Sequence, residues 1–208
     1  MTFLKTAVFE LRTYAIKPTH VGKYVALSNE KFHLRTEHSK LNGFFIHELG
    51  GTLNAFTHIW QYDSLAHRAS VRHTLANNKD WINDYVVNLL PCLDSQVNKV
   101  CKIPEWSHKY ANFDLNEPKY DASKQAPAYN MITVDDDELT EKDCEDFVKK
   151  MLEVKGVKFH AVYETVLGDT DEKTFFFRHD DLDSTINDIR LPNQQSLVML
   201  PTAWSPMK

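Results

Sequence analysis

Glycine and proline are scarce, at six and eight in 208 residues, which excludes low-complexity and collagen-like chains. No apolar run approaches the roughly 20 residues that span a bilayer. The three cysteines, Cys92, Cys101 and Cys144, are an odd number with no Cys-x-x-Cys pair, so a disulfide scaffold is excluded. There is no Asn-x-Ser/Thr acceptor, no Gly-x-Gly-x-x-Gly, no phosphate-binding P-loop and no Gly-x-Ser-x-Gly elbow. Nucleotide-dependent and serine-hydrolase chemistries therefore have no motif to stand on. The expected compartment is reducing, by default the cytosol. Only about six residues precede the first strand pattern, so neither a cleavable leader nor a mitochondrial presequence is expected before the fold.

What the chain does have is 42% hydrophobic and 25% charged residues, enough to bury a sizeable core. Its charge is uneven. Residues 1–104 hold twelve Lys and Arg against eight Asp and Glu, and residues 105–208 hold twelve against twenty-one. The modest positive excess of the first part is spread along its length, whereas a nucleic-acid surface needs clustered cations on a strongly basic domain. Nucleic acid is not an expected partner.

Alternation of Phe9 and Leu11 with Glu10 and Arg12 predicts a strand from Thr6 to Ile16. Val21, Tyr24, Val25, Ser28 and Phe32 share one helical stripe between His20 and Thr36, ended by Asn42-Gly43. Phe44 to Leu49 and Ala55 to Tyr62, joined by Gly50-Gly51, predict a hairpin. Helices at Leu65 to Ala76 and Trp81 to Leu90, capped by Asp63 or Ser64, lead to a strand at Leu93 to Ile103. The order is β-α-β-β-α-β. Residues 108–126 read as a linker, after which the order restarts: strand Tyr129 to Val134, helix Asp136 to Lys155, hairpin Lys158 to Val166 and Lys173 to Arg178, a short helix near Asp183 to Ile189, and strand Gln195 to Leu200. Asp135-Asp136-Asp137-Glu138 lacks the glycine and distal glutamate of a calcium loop and reads as the cap of that helix.

Two matches between the halves indicate a repeat. Trp60-Gln61-Tyr62-Asp63-Ser64-Leu65 aligns with Phe177-Arg178-His179-Asp180-Asp181-Leu182, and Ile103-Pro104-Glu105-Trp106-Ser107 aligns with Leu200-Pro201-Thr202-Ala203-Trp204-Ser205 with one insertion. The stretch between these signatures shrinks from 41 positions in the first copy to 21 in the second, so the second copy is expected to lack a helix.

Phe9-Glu10-Leu11-Arg12-Thr13-Tyr14, Leu34-Arg35-Thr36-Glu37-His38-Ser39-Lys40-Leu41-Asn42-Gly43-Phe44 and His58-Ile59-Trp60-Gln61-Tyr62-Asp63-Ser64-Leu65-Ala66-His67-Arg68 together resemble the NIPSNAP family over about residues 7–103. The ending from Leu200 to Lys208 resembles the carboxyl end of animal members. The resemblance implies an α+β fold of tandem ferredoxin-like repeats of the dimeric α/β-barrel type. The expected units are residues 1–107, the linker 108–126, and an abbreviated second repeat over 127–208. It also implies a non-enzymatic binding or adaptor protein associated with mitochondria, vesicle traffic and mitophagy signalling. Protein partners are expected from the resemblance; the lack of a leader gives the cytosol, with docking on mitochondria through a partner, as the expected location, and the uncovered surface of the shortened second copy gives a homodimer held mainly by that copy. Fold relatives that are monooxygenases keep open a heme-binding, aromatic-ligand or oxygenase-like use of the barrel interior.

Period 2 sets Glu10, Arg12 and Tyr14 on one face of the first strand and His58, Trp60 and Tyr62 on one face of the third, its neighbour in this topology. If that face points into the barrel, these six residues line a site for a flat apolar ligand carrying one ionised group. The other reading is a closed core in which Glu10 and Arg12 pair with neighbours. The second copy has Asn130, Ile132 and Phe175 at the positions of Glu10, Arg12 and His58, so the polar set occurs once. Arg68 and Arg72, four apart on a helix, could clamp a carboxylate or phosphate. His33 with His38 and His67 with His73 are out of metal-binding register; no catalytic residue, metal or cofactor is expected.

Overall fold

A computed structural model describes residues 7–112 and 127–207. Eight strands, β1 (Val8–Ile16), β2 (Lys40–Leu49), β3 (Ala55–Tyr62), β4 (Leu93–Lys102), β5 (Ala128–Asp135), β6 (Val157–Leu167), β7 (Glu172–His179) and β8 (Gln194–Pro201), close a barrel in the order β1-β3-β2-β8-β5-β7-β6-β4. Every pairing is antiparallel. The first four strands stand as β4-β1-β3-β2 and the last four as β8-β5-β7-β6, so the halves meet at two seams, β2 with β8 and β4 with β6. The mixed α/β architecture with an antiparallel sheet agrees with the expected α+β class.

Alternation divides each strand between two cores. Phe9, Leu11, Phe45, Ile59, Cys101, Tyr129, Ala161, Tyr163, Phe176 and Met199 come from all eight strands and fill the barrel axis. Phe45, Tyr129 and Phe176 interlock there with ring centroids 4.7 to 5.7 Å apart. The opposite face of the first half is covered by α1 (Val21–Lys31), the short α2 (His33–Thr36), α3 (Leu65–Ala76) and a π-helical turn, Trp81–Val86, that runs into α4 (Val87–Leu89). Tyr24, Phe32, Val71, Leu75 and Tyr85 from these helices pack on Tyr14, Phe44, Phe56 and Trp60. A single long helix, α5 (Glu141–Glu153), covers the second half, seating Cys144, Phe147, Val148 and Met151 on Ile132, Val162, Phe175 and Phe177. Each fully buried side chain of this size contributes about 1.5–3 kcal/mol.

Local chemistry sets the helix ends. Ser64 Oγ accepts from the His67 amide at 3.1 Å and starts α3. At α5, Thr140 and Asp143 form a reciprocal capping box. The acidic run is therefore not the cap. It forms the preceding turn, with Asp136 Oδ1 accepting from the Glu138 amide at 3.0 Å.

The two Pro-x-Trp-Ser signatures act across the seams. Ser107 Oγ accepts from the Val162 amide of β6, and Ser205 Oγ accepts from the Phe44 amide of β2, both at 3.0 Å. Trp204 lies edge-on to Phe44, with centroids 5.3 Å apart. Each half thus ends by hydrogen-bonding a strand of the other.

Several expectations need correction. Asn42-Gly43 does not stop an element: β2 begins at Lys40 and crosses these residues through a register shift between Leu41 and Gly43, where a Cβ on Gly43 would strike the Phe45 ring. The short helix expected near Asp183 to Ile189 is one 3-10 turn, Asp183–Thr185, and Ile186, which follows it, is left exposed. Thr6, residues 113–126 of the expected linker and Lys208 lie outside the described residues.

Candidate functional site

Strand β1 lies against β3 with Glu10 opposite Trp60 and Arg12 opposite His58. The six predicted residues do share one face, but it is the face under the helices. Tyr14, Trp60 and Tyr62 belong to the core beneath α1 and α3, while Phe9, Leu11 and Ile59 take the barrel axis. The interior site is overturned. Both parities of β1 and β3 are apolar enough to be buried, and the helices, which need aromatic partners for Tyr24 and Phe32, take the one that carries Trp60 and Tyr14.

Glu10 organises the polar part of this layer. It is 0% exposed, and its carboxylate accepts from Arg68 Nε at 3.1 Å and Nη2 at 2.7 Å, from Asn98 Nδ2 at 2.8 Å and from the Tyr62 hydroxyl at 3.4 Å. Burial alone would raise its pKa; the Arg68 bonds and the charge of Arg12 overcome this and hold it below 4.5. Arg35, 4% exposed, donates Nη2 to the Tyr62 hydroxyl at 2.7 Å and Nη1 to Ser39, and stacks 4.3 Å from the Trp60 ring centre. A buried relay runs from Arg35 through Tyr62 to Glu10, with one charge of each sign. Burial raises the Tyr14 and Tyr62 phenols and lowers Arg35.

His58 stacks on Phe44 with centroids 4.8 Å apart and meets Tyr14 edge-on at the same distance. The indole N–H of Trp60 can only donate, so His58 Nδ1 accepts from it and the ring proton sits on Nε2, which has no hydrogen-bond partner. Burial, reinforced by Arg12 and Arg35, pushes the His58 pKa well below 6.5. Its one basic lone pair is occupied, so this imidazole is neither a free base nor a free axial ligand.

Arg68, for which a ligand clamp and an intramolecular pairing were both open with the second favoured, makes the intramolecular pair with Glu10. One member of the site escaped the sequence reading. Arg35 received no role, although Tyr24, Ser28, Phe32 and Arg35 follow one another by four, four and three positions and all are buried. That spacing was the available signal.

The family model of NIPSNAP matches residues 9–108, the segment that builds this layer. Over that segment, just under half of its length, the chain is similar to the NIPSNAP family. NipSnap homolog 3B of Homo sapiens is 39% identical over 99 residues, which is 48% of this chain and 40% of that protein. The NipSnap homolog of Dictyostelium discoideum is 34% identical over 92 residues, 44% of this chain and 40% of its own length. The match thus spans about two fifths of the curated relatives. At the level of fold alone, a solved structure of a putative monooxygenase from Fusobacterium nucleatum covers 95% of this chain and 93% of its own, with a TM-score of 0.62 at 10% identity. The NIPSNAP match ends with the helix-covered first half and its closing Pro-x-Trp-Ser.

Proposed function

We propose that the chain is a non-enzymatic NIPSNAP-type binding or adaptor protein built from two copies of one ferredoxin-like unit, residues 1–107 and 127–208 joined by 108–126. The observation that carries the absence of catalysis is the state of the two best catalytic candidates. The Glu10 carboxylate is filled by four donors, and the His58 lone pair is filled by Trp60. The matching strand orders and the reciprocal Ser107 and Ser205 bonds support the two-copy reading.

Among the described residues no helix is long and apolar enough to cross a membrane. We place the protein in the cytosol, docked on mitochondria through a partner and connected there with vesicle traffic or mitophagy signalling. We assign it as a homodimer held mainly by the second unit, whose outer sheet has one long helix where the first has several. Light scattering at micromolar concentration tests this, and a monomer in both low and high salt refutes it.

Titration with hemin tests the functional reading. No 1:1 shift of the Soret band is expected, and a saturable shift lost in His58→Ala would overturn it. Affinity capture on the intact protein should yield a partner at fixed stoichiometry from mitochondria-containing extract; failure to capture one would refute the adaptor role.

A further inference from the structure

Donor accounting on the outer flank of β1 leaves one guanidinium largely unused. The Arg12 side chain is 18% exposed and its Nε is 3.9 Å from Glu10 Oε1, beyond hydrogen-bonding range, with no partner for that buried nitrogen. Its one hydrogen bond is a long one, Nη2 to Gln96 Oε1 at 3.4 Å, although a guanidinium carries five N–H donors. Glu10 cannot serve it better, because both carboxylate oxygens are occupied by Arg68, Asn98 and Tyr62. Arg72, exposed one helical turn beyond Arg68 on α3, adds its charge at the Tyr14 hydroxyl, the ring over which Arg12 lies at 5.3 Å. Among the described residues no carboxylate is paired with Arg72, and Glu10 is the only one near Arg12. Arg12, Arg35 and Arg68 therefore share a single carboxylate that is already saturated, and Arg72 has none of its own among the described residues.

We propose that Arg12 and Arg72, flanked by the exposed amide of Gln96, form a docking site for a carboxylate brought by a ligand. The partly sheltered Arg12 fork offers two parallel N–H donors to the two oxygens of a carboxylate. Arg72 at the rim supplies long-range attraction, which salt weakens. Arg68 cannot take part, since its Nε and Nη2 are committed to Glu10. This deepens the binding-protein reading by naming what is bound; the carboxylate belongs either to a small molecule or to an acidic side chain of a protein partner.

The test is calorimetric titration of the full chain with benzoate, with a short poly-glutamate peptide and with inorganic phosphate, at one ionic strength. Binding of benzoate assigns a small-molecule source, and binding of the peptide alone assigns a protein side chain. In either case Arg12→Ala weakens affinity by about tenfold, the scale of one charge-assisted hydrogen bond, and Arg72→Ala weakens it by a smaller factor that shrinks when the series is repeated at raised salt. Arg72 is exposed, so its variant keeps the fold and reports on the site even if Arg12→Ala disturbs the layer. No binding of either carboxylate at millimolar concentration, phosphate binding equally well, or affinity unchanged in Arg72→Ala would overturn the proposal. Partner capture is a separate readout: carboxylate binding without any captured partner refutes the adaptor reading and leaves this site standing.

Discussion

Acid should weaken this fold through buried imidazoles well before carboxylates titrate. His179 at the end of β7 is 0% exposed, with Nδ1 3.0 Å from Ser184 Oγ and Nε2 without a partner. Burial lowers its pKa from 6.5 to about 4, against the opposing influence of Ser184, Asp181 and Asp180. The folded chain therefore refuses a proton that the unfolded chain accepts, so this contribution to stability is complete above pH 6.5 and falls as pH drops toward about 4. At about 1.4 kcal/mol per pH unit, a gap of about 2.5 units costs about 3.5 kcal/mol, a large share of the roughly 5–15 kcal/mol that holds a typical domain. Burial lowers His58 and His160 too, so they act in the same sense. Urea unfolding followed by tryptophan fluorescence, at intervals from about pH 7.5 to about pH 5, should give a stability that declines with acid. In His179→Gln the decline should be shallower by about one proton, or about 1.4 kcal/mol per pH unit. Parallel curves for parent and variant would refute the assignment of a buried neutral imidazole.

Glu10→Gln keeps the shape of the carboxylate but leaves Arg12, Arg35 and Arg68 without their counter-charge, so it should cost about 3 kcal/mol by calorimetry; a loss under about 0.5 kcal/mol, the range of ordinary surface changes, would show that the relay is not a stabilising network. Phe176→Ala opens a void on the barrel axis and should cost about 3–5 kcal/mol, whereas a small loss would mean that the axis can collapse or take up water. Ser205→Ala leaves the buried Phe44 amide without its acceptor and should cost about 1–3 kcal/mol in denaturant unfolding, and a neutral outcome would deny this contact any part in joining the halves.

Periodicity located most elements because a strand or helix with one buried stripe leaves that stripe in the sequence. β3 and α3 occupy the spans that alternation and 3.6-residue spacing predict, Ala55 to Tyr62 and Leu65 to Ala76. The same rule grouped Glu10, Arg12 and Tyr14 with His58, Trp60 and Tyr62. It could not choose between barrel axis and helix layer, since Phe9, Leu11 and Ile59 make the alternate face equally able to be buried. Nor could local reading anticipate that Arg68 would reach back 58 positions to Glu10. It also could not show that Asn42-Gly43 would bend a strand and leave it running, because a bulge is decided by the partner strand.

The crossed bonds of Ser107 and Ser205 have a consequence for how this chain can be cut and how it can degenerate. A fragment ending near residue 107 keeps every helix of the first half but loses the serine that occupies the Phe44 amide and the indole that covers the Phe44 ring. It also leaves two raw strand edges, on β2 and β4, that invite pairing with other chains. The second half can shed a helix at the cost of its own outer surface alone. What it cannot shed is β6, β8 and the terminal tryptophan and serine, because those pieces complete the first half. The second half thus works as a lid through its hinges: the parts it cannot lose are the ones that hold its neighbour shut.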